Sequence, residues 1–207
     1  TSVTDENGFT TGYGYDVMGR VQLVEYPGGD TVAWTNTTSG FSRSGSPKYG
    51  LPTGHWQQVV STGANRKITY FDALWRPVVV ESFDNTNGTT ANATRSVTVQ
   101  RYDAAGRQAF LSYPMSGLVD YAASGLDGTH TTYDALDRVT KVEQAWEGPG
   151  VLSTTTEYLS GFRTRVTPPR GQGAGSAFQT TTSYLAWDQP TTDFPAAIAH
   201  PEGANTD

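Results

Sequence analysis

Acid and base recur at one fixed spacing in this sequence: Asp16 precedes Arg20 by four residues, as Asp72 does Arg76, Asp103 does Arg107 and Asp134 does Arg138. A catalytic reading would need one concave site in which the pKa values of such groups are pushed apart. These pairs instead recur once per unit in equivalent settings. That argues for a structural role, in which the two side chains face each other across a tight turn and the carboxylate also accepts turn N–H groups. No stronger chemistry stands beside them. His55, His130 and His200 are far apart and have no second His, Asp or Glu at metal-ligand spacing. The stretch Gly171-Gln172-Gly173-Ala174-Gly175-Ser176 lacks the Lys-Ser/Thr ending, the preceding strand and the following helix of a phosphate-cradling loop. No Gly-x-Ser-x-Gly elbow occurs, and the many Ser and Thr residues have no neighbouring His or Lys to activate them. Cysteine is absent, which excludes disulfides, thiolate nucleophiles and Cys-ligated zinc. The expectation is a protein that is not an enzyme, with no catalytic residue, metal or cofactor.

The elements that must position these pairs emerge from self-similarity. Four copies of one motif read Tyr15-Asp16-Val17-Met18-Gly19-Arg20, Phe71-Asp72-Ala73-Leu74-Trp75-Arg76, Tyr102-Asp103-Ala104-Ala105-Gly106-Arg107 and Tyr133-Asp134-Ala135-Leu136-Asp137-Arg138. A degenerate fifth, Tyr184-Leu185-Ala186-Trp187-Asp188-Gln189, keeps the aromatic and the turn-forming Asp188 but loses both charges. The starts are separated by 56, 31, 31 and 51 residues, so each long gap reads as two units, the second holding a weaker copy at Tyr158-Leu159-Ser160-Gly161-Phe162-Arg163. Each copy has the grammar of a β-hairpin, with β-rich runs on either side of a short turn. Hairpins are expected near 13–26, 68–83, 97–113, 130–144 and 181–194, with a weaker one near 156–167. The residue before Arg is Gly19, Gly106 or Asp137, each able to take positive φ at the end of a type I turn with a bulge. Trp75 breaks that rule and must accept a left-handed conformation or change the turn. Four residues beyond each Arg stands Val24, Val80, Leu111 or Val142, expected on a common buried face. Polar, Gly- and Asn-rich stretches at Asn36 to Gly50, Asp84 to Thr94 and Pro168 to Ser176 are expected as loops. The fold class is all-β.

The composition agrees. Of 207 residues only 16% are charged, and 31 are Thr, a skew toward strands. A net charge of −6 with no Lys/Arg run argues against nucleic acid or an anionic membrane as the main partner. Apolar runs such as Val78-Val79-Val80 and Phe194 to Ala199 fall far short of the roughly 18 residues that suggest a membrane span. The chain opens Thr1-Ser2-Val3-Thr4 and reads as a piece of something longer. Five Trp, 11 Tyr and eight Phe are explained first by core and cross-strand packing. Trp34, Trp56, Trp146 and Trp187 are less bound by the repeat, leaving a carbohydrate-stacking role as the alternative. Asn36, Asn87 and Asn92 stand in glycosylation sequons, which matter only in a eukaryotic secretory pathway.

The iterated Tyr-Asp-x-x-Gly-Arg motif, followed by an aliphatic-rich strand, resembles the YD-repeat or Rhs family. The resemblance covers most of the chain, from Tyr15 to Tyr184. It implies repeated antiparallel hairpins in a curved, spiralling sheet, a hollow shell that encloses a C-terminal toxin in bacterial Rhs and toxin-complex proteins and serves adhesion in teneurins. The Asp-Pro-x-Gly-Leu-like self-cleavage segment of the bacterial shells has no match here, so no protease residues carry over. The implied reading is a single repeat segment over 1–207 within a larger exported protein, secreted or at the cell surface. Its implied partners are the remainder of that protein and an enclosed toxin; a surface adhesin or carbohydrate-binding module is the alternative.

Overall fold

The structure is a computed structural model and describes residues 1–29, 31, 33–185 and 192–201. Fifteen strands follow in chain order: β1 (Ser2–Thr4), β2 (Thr10–Tyr15), β3 (Val21–Glu25), β4 (Thr37–Arg43), β5 (Trp56–Thr62), β6 (Asn65–Phe71), β7 (Pro77–Asp84), β8 (Ser96–Tyr102), β9 (Gln108–Ser112), β10 (Gly128–Tyr133), β11 (Val139–Ala145), β12 (Val151–Leu159), β13 (Arg163–Thr167), β14 (Thr180–Tyr184) and β15 (Pro195–Ala199). They hydrogen-bond in that same order, without closing into a barrel. One short α-helix, α1 (Gly88–Thr94), and two 3-10 turns, Pro169–Gly171 and Gly175–Phe178, interrupt them; α1 is capped by the Asn87 side chain, which accepts a hydrogen bond from Thr90 N–H. The chain divides into two compact units, residues 1–101 with 112–126 and residues 102–111 with 127–207.

In the first unit, cross-strand partners share a face. Ile68↔Glu81, Tyr70↔Val79, Glu81↔Val97 and Val79↔Val99 place one buried set on one side of β6, β7 and β8. Two connecting segments cover it. Residues 44–55 bring Tyr49, Leu51 and His55 down onto it, Tyr49 meeting the Tyr70 ring edge-on at 5.4 Å. Residues 113–126 attach through the Val97–Met115 bridge and through Arg101, which donates to the carbonyls of Tyr121 and Ala123. Within the first segment a two-residue turn, Lys48 to Leu51, puts Tyr49 at φ 54 and Gly50 at φ 81. A Cβ at Gly50 would displace the end of the Asp120 side chain, and the left-handed backbone at φ 81 is what favours glycine there.

The opposite face is open, and it holds the positions expected to be buried. The pairs Val24↔Thr37, Thr69↔Val80 and Thr131↔Val142 show one equivalent register in three hairpins. Val24, Val80 and Val142 are nonetheless only half-buried, and Leu111 is 42% exposed. The covered residues lie one place away, at Val79 and Phe110. All three expected loops contain regular structure, Pro168 to Ser176 holding the 3-10 turn Pro169–Gly171 and the start of a second, Gly175–Phe178. Residues 37–43 within Asn36 to Gly50 form β4, whose neighbour β5 completes the motif-free unit of the first long gap. Asp84 to Thr94 contains α1, because Asn87 supplies the cap that a loop reading does not anticipate.

The second unit is more thinly packed: among its described residues only Phe110, Gly128, Thr167 and Gly171 are buried, while most strand positions are half-exposed. Its Thr-rich strands are held by ladder pairing and by polar clips. Glu157 faces Arg165 across β12 and β13 in a two-pronged ion pair, and the Gln172 amide donates to the carbonyls of Ser153 and Thr167.

Candidate functional site

The Asp–Arg pairs close four turns in the same way. Each motif Asp sits just past a strand end, and its Oδ1 accepts the backbone N–H two residues on (Met18, Leu74, Ala105, Leu136) at 2.8–2.9 Å. The same oxygen accepts the Arg backbone N–H at 2.9–3.0 Å. Oδ2 takes the Arg Nε–H at 2.6–2.8 Å. The backbone reinforces this, with Asp N–H donating to the Arg carbonyl and the residue before Arg donating to the Asp carbonyl. That residue is left-handed every time: Gly19 at φ 77, Trp75 at 62, Gly106 at 85 and Asp137 at 62. Register shifts between Gly14 and Tyr15, Tyr70 and Phe71, and Thr132 and Tyr133 mark the accompanying bulge.

These contacts hold the carboxylates ionised. The Asp16 carboxyl lies below its ordinary value, first because of the Arg20 backbone hydrogen bond and then because of the Arg20 side chain. At Asp72, Asp103 and Asp134 desolvation pushes upward and is overcome by backbone and side-chain hydrogen bonds from Arg76, Arg107 and Arg138. Four carboxylates held in one protonation state by one set of partners are stapling groups rather than proton-transfer groups.

The motif aromatics connect one repeat to the next. The Arg107 guanidinium lies 4.7 Å from the centre of the Tyr133 ring, whose hydroxyl donates to the Gln108 carbonyl at 2.9 Å. Arg138 lies 4.0 Å from the centre of the Tyr158 ring, whose hydroxyl donates to the Val139 carbonyl at 3.0 Å. The same rung therefore forms twice, and Tyr158 fills the aromatic place in the weak copy. Arg107 adds a second link by donating to the Asp134 carbonyl and to Asp137. In the first unit Arg20 lies over Phe41 at 4.8 Å, so Phe41 stands in for the aromatic of the motif-free unit. Tyr15, Phe71, Tyr102 and Tyr184 likewise end β2, β6, β8 and β14. Asp188 and Trp187 lie outside the described residues.

Two features lie outside the repeated motif. Asp5 builds the same turn: its Oδ1 accepts from Asn7 and Phe9 N–H, and Gly8 sits at φ 85. Thr4 replaces the aromatic and Phe9 the Arg, so only the Asp-x-x-Gly spacing signalled it. The second is Glu81, with no exposed surface. It accepts from Lys48 Nζ at 2.8 Å and the Tyr70 hydroxyl at 2.9 Å, and it pairs with Arg95. Lys48 also lies 4.9 Å from the Tyr49 ring centre. Desolvation lowers the Lys48 pKa, helped by the charges of Arg95 and Arg66, and desolvation raises those of Tyr49 and Tyr70. Glu81 thus ties the 44–55 cover and the end of α1 to the sheet.

The histidines stay apart. His55 is buried, with Nδ1 2.8 Å from the Pro52 carbonyl, His130 packs at 4.5 Å from Phe110, and His200 is exposed. Among the described residues no group of three or more His, Asp and Glu is placed to hold a metal ion.

Hairpins added in chain order, the motif turns stapled by an aspartate and three of the motif arginines, Arg20, Arg107 and Arg138, lying over an aromatic of the following repeat, define an antiparallel hairpin-repeat protein. The RHS Repeat family model matches residues 1–31, a stretch spanning the Asp5 turn and the first motif copy, and it supports assignment of the chain to the YD/Rhs-repeat family. That family is a structural repeat, not a catalytic one. No curated protein matches the sequence.

Proposed function

We propose that this chain is a non-catalytic wall segment of an exported YD-repeat protein, working by enclosing or displaying a toxin or effector domain. The observation that carries the reading is the inter-repeat rung, Arg107 on Tyr133 and Arg138 on Tyr158. Contacts of this kind join units into one continuous surface, so stability accumulates along the array and no single site stands apart. Proteins with these repeats are typically extracellular or at the cell surface, and no helix among the described residues is long and apolar enough to cross a membrane. The test is to express the chain alone and joined to the flanking regions of its gene, measuring oligomeric state and protease resistance. Alone, the unpaired edges of β1 and β15 should lead to association or proteolysis; with the flanks, both the repeats and an enclosed domain should resist protease. A fully resistant monomer that turns over a small substrate would overturn the proposal.

A further inference from the structure

Three cations gather around one carboxylate on the covered side of the first unit. Lys48 Nζ lies 2.8 Å from Glu81, and Arg95 pairs with the same carboxylate. Arg66 joins them through the sheet: its cross-strand partner is Phe83, over whose ring Arg95 lies at 5.1 Å, and Phe83 and Glu81 point to the same side of β7. Arg66 differs from the other two. Among the described residues it pairs with no carboxylate, and its Nε is buried without a hydrogen-bond partner. The Lys48 side chain is 39% exposed and that of Arg95 23%, so solvent reaches the cluster.

A buried carboxylate accounts for Lys48 and Arg95, which neutralise it and satisfy its oxygens. It does not account for Arg66. A long cationic side chain often lays its stem on apolar surface and keeps its head in water, but here an N–H of the head itself is withheld from water with no acceptor in reach. The surplus of positive charge is felt within the cluster, where desolvation first, and then the charges of Arg95 and Arg66, lower the Lys48 pKa. One more carboxylate would leave a positive charge over, whereas an anion of two charges would balance the group.

We propose that Lys48, Arg66 and Arg95 bind a compact oxyanion of two charges, a phosphate or a phosphate monoester. The forked N–H groups of arginine suit the oxygens of such an anion, and the lysine ammonium adds a point charge beside them. Bound there, the anion would give the Arg66 Nε–H the acceptor that the protein does not supply. The chain as a whole is acidic, at −6, so recognition is local and does not extend to long polyanions such as nucleic acid. The inference is independent of the enclosure reading, since it rests on this cluster alone.

The test titrates the full chain, at mildly alkaline pH and constant ionic strength, with inorganic phosphate, methyl phosphate and acetate. Binding is read by calorimetry and by the Arg66 Nε–H resonance in proton–nitrogen NMR. Phosphate should bind saturably and move that resonance, and acetate should bind at least tenfold more weakly. Methyl phosphate bound as tightly as phosphate would assign the site to monoesters, and phosphate bound alone would assign it to the free anion; either upholds the proposal. Arg66→Gln should keep the fold by circular dichroism and weaken phosphate binding at least tenfold. Lys67→Gln removes the same charge one residue along, on the opposite side of β6, and should leave the affinity unchanged. The resonance is read on the unaltered chain, so it decides the matter even where a variant does not fold. The absence of saturable binding, equal binding of acetate, an Arg66 resonance that stays in place, or equal losses in the two variants would overturn the proposal.

Discussion

Three residues after each motif aspartate the backbone is left-handed whatever the side chain, which means the aspartate cage sets the turn and the side chain conforms. A β-carbon in that conformation costs about 1–2 kcal/mol unless the residue is Gly, Asn or Asp. Gly106→Ala should therefore lower unfolding free energy by roughly that amount, while Gly106→Asn should come close to wild type, as measured by urea denaturation; nothing lies within 4 Å of the new Cβ to add a clash. Acid provides a second measurement. Because the motif carboxyls are depressed below their ordinary value of 3.8, their contribution is fully present above it and is lost as pH falls through the lower folded-state values. Stability should fall on going from pH 5 to pH 3, and the fall should shrink in Asp72→Asn, compared by denaturation at the two pH values. These turns were legible in the sequence because a turn is local, with all its donors and acceptors within five residues. The Asp5 turn lacks both the aromatic and the arginine that mark the others, although its Asp and Gly suffice to close it.

Between elements the decisive contacts are not local. Lys48 reaches Glu81 from 33 residues away in sequence, and no spacing rule marks a glutamate in the run Val78-Val79-Val80-Glu81 as the one fully buried carboxylate among the described residues. Removing one member of a buried ion pair leaves the others uncompensated. Glu81→Ala should cost about 3–5 kcal/mol, and Tyr70→Phe, which removes one hydrogen bond to a charged group, about 1.5–3 kcal/mol, both measured by chemical denaturation. Equal costs for the two would show that Lys48 and Arg95 find water when Glu81 is gone. The same distinction explains the misplaced core. Sequence alternation gives the register, and Val24, Val80 and Val142 do occupy equivalent places. Which face is covered depends on residues 44–55 and 113–126, whose packing is tertiary and leaves no periodic trace.

At the scale of the whole molecule, the strand order equals the chain order from β1 to β15. Pulled from its two ends, such a chain is loaded at its outermost strands, and each antiparallel neighbour opens one hydrogen-bonded pair after another instead of shearing many together. In an optical trap it should lengthen through a series of small, low-force steps, the larger ones falling where Arg107–Tyr133 and Arg138–Tyr158 link repeats; one high-force rupture would contradict this. A translocating motor gripping either end would thus meet only one hairpin's resistance at a time.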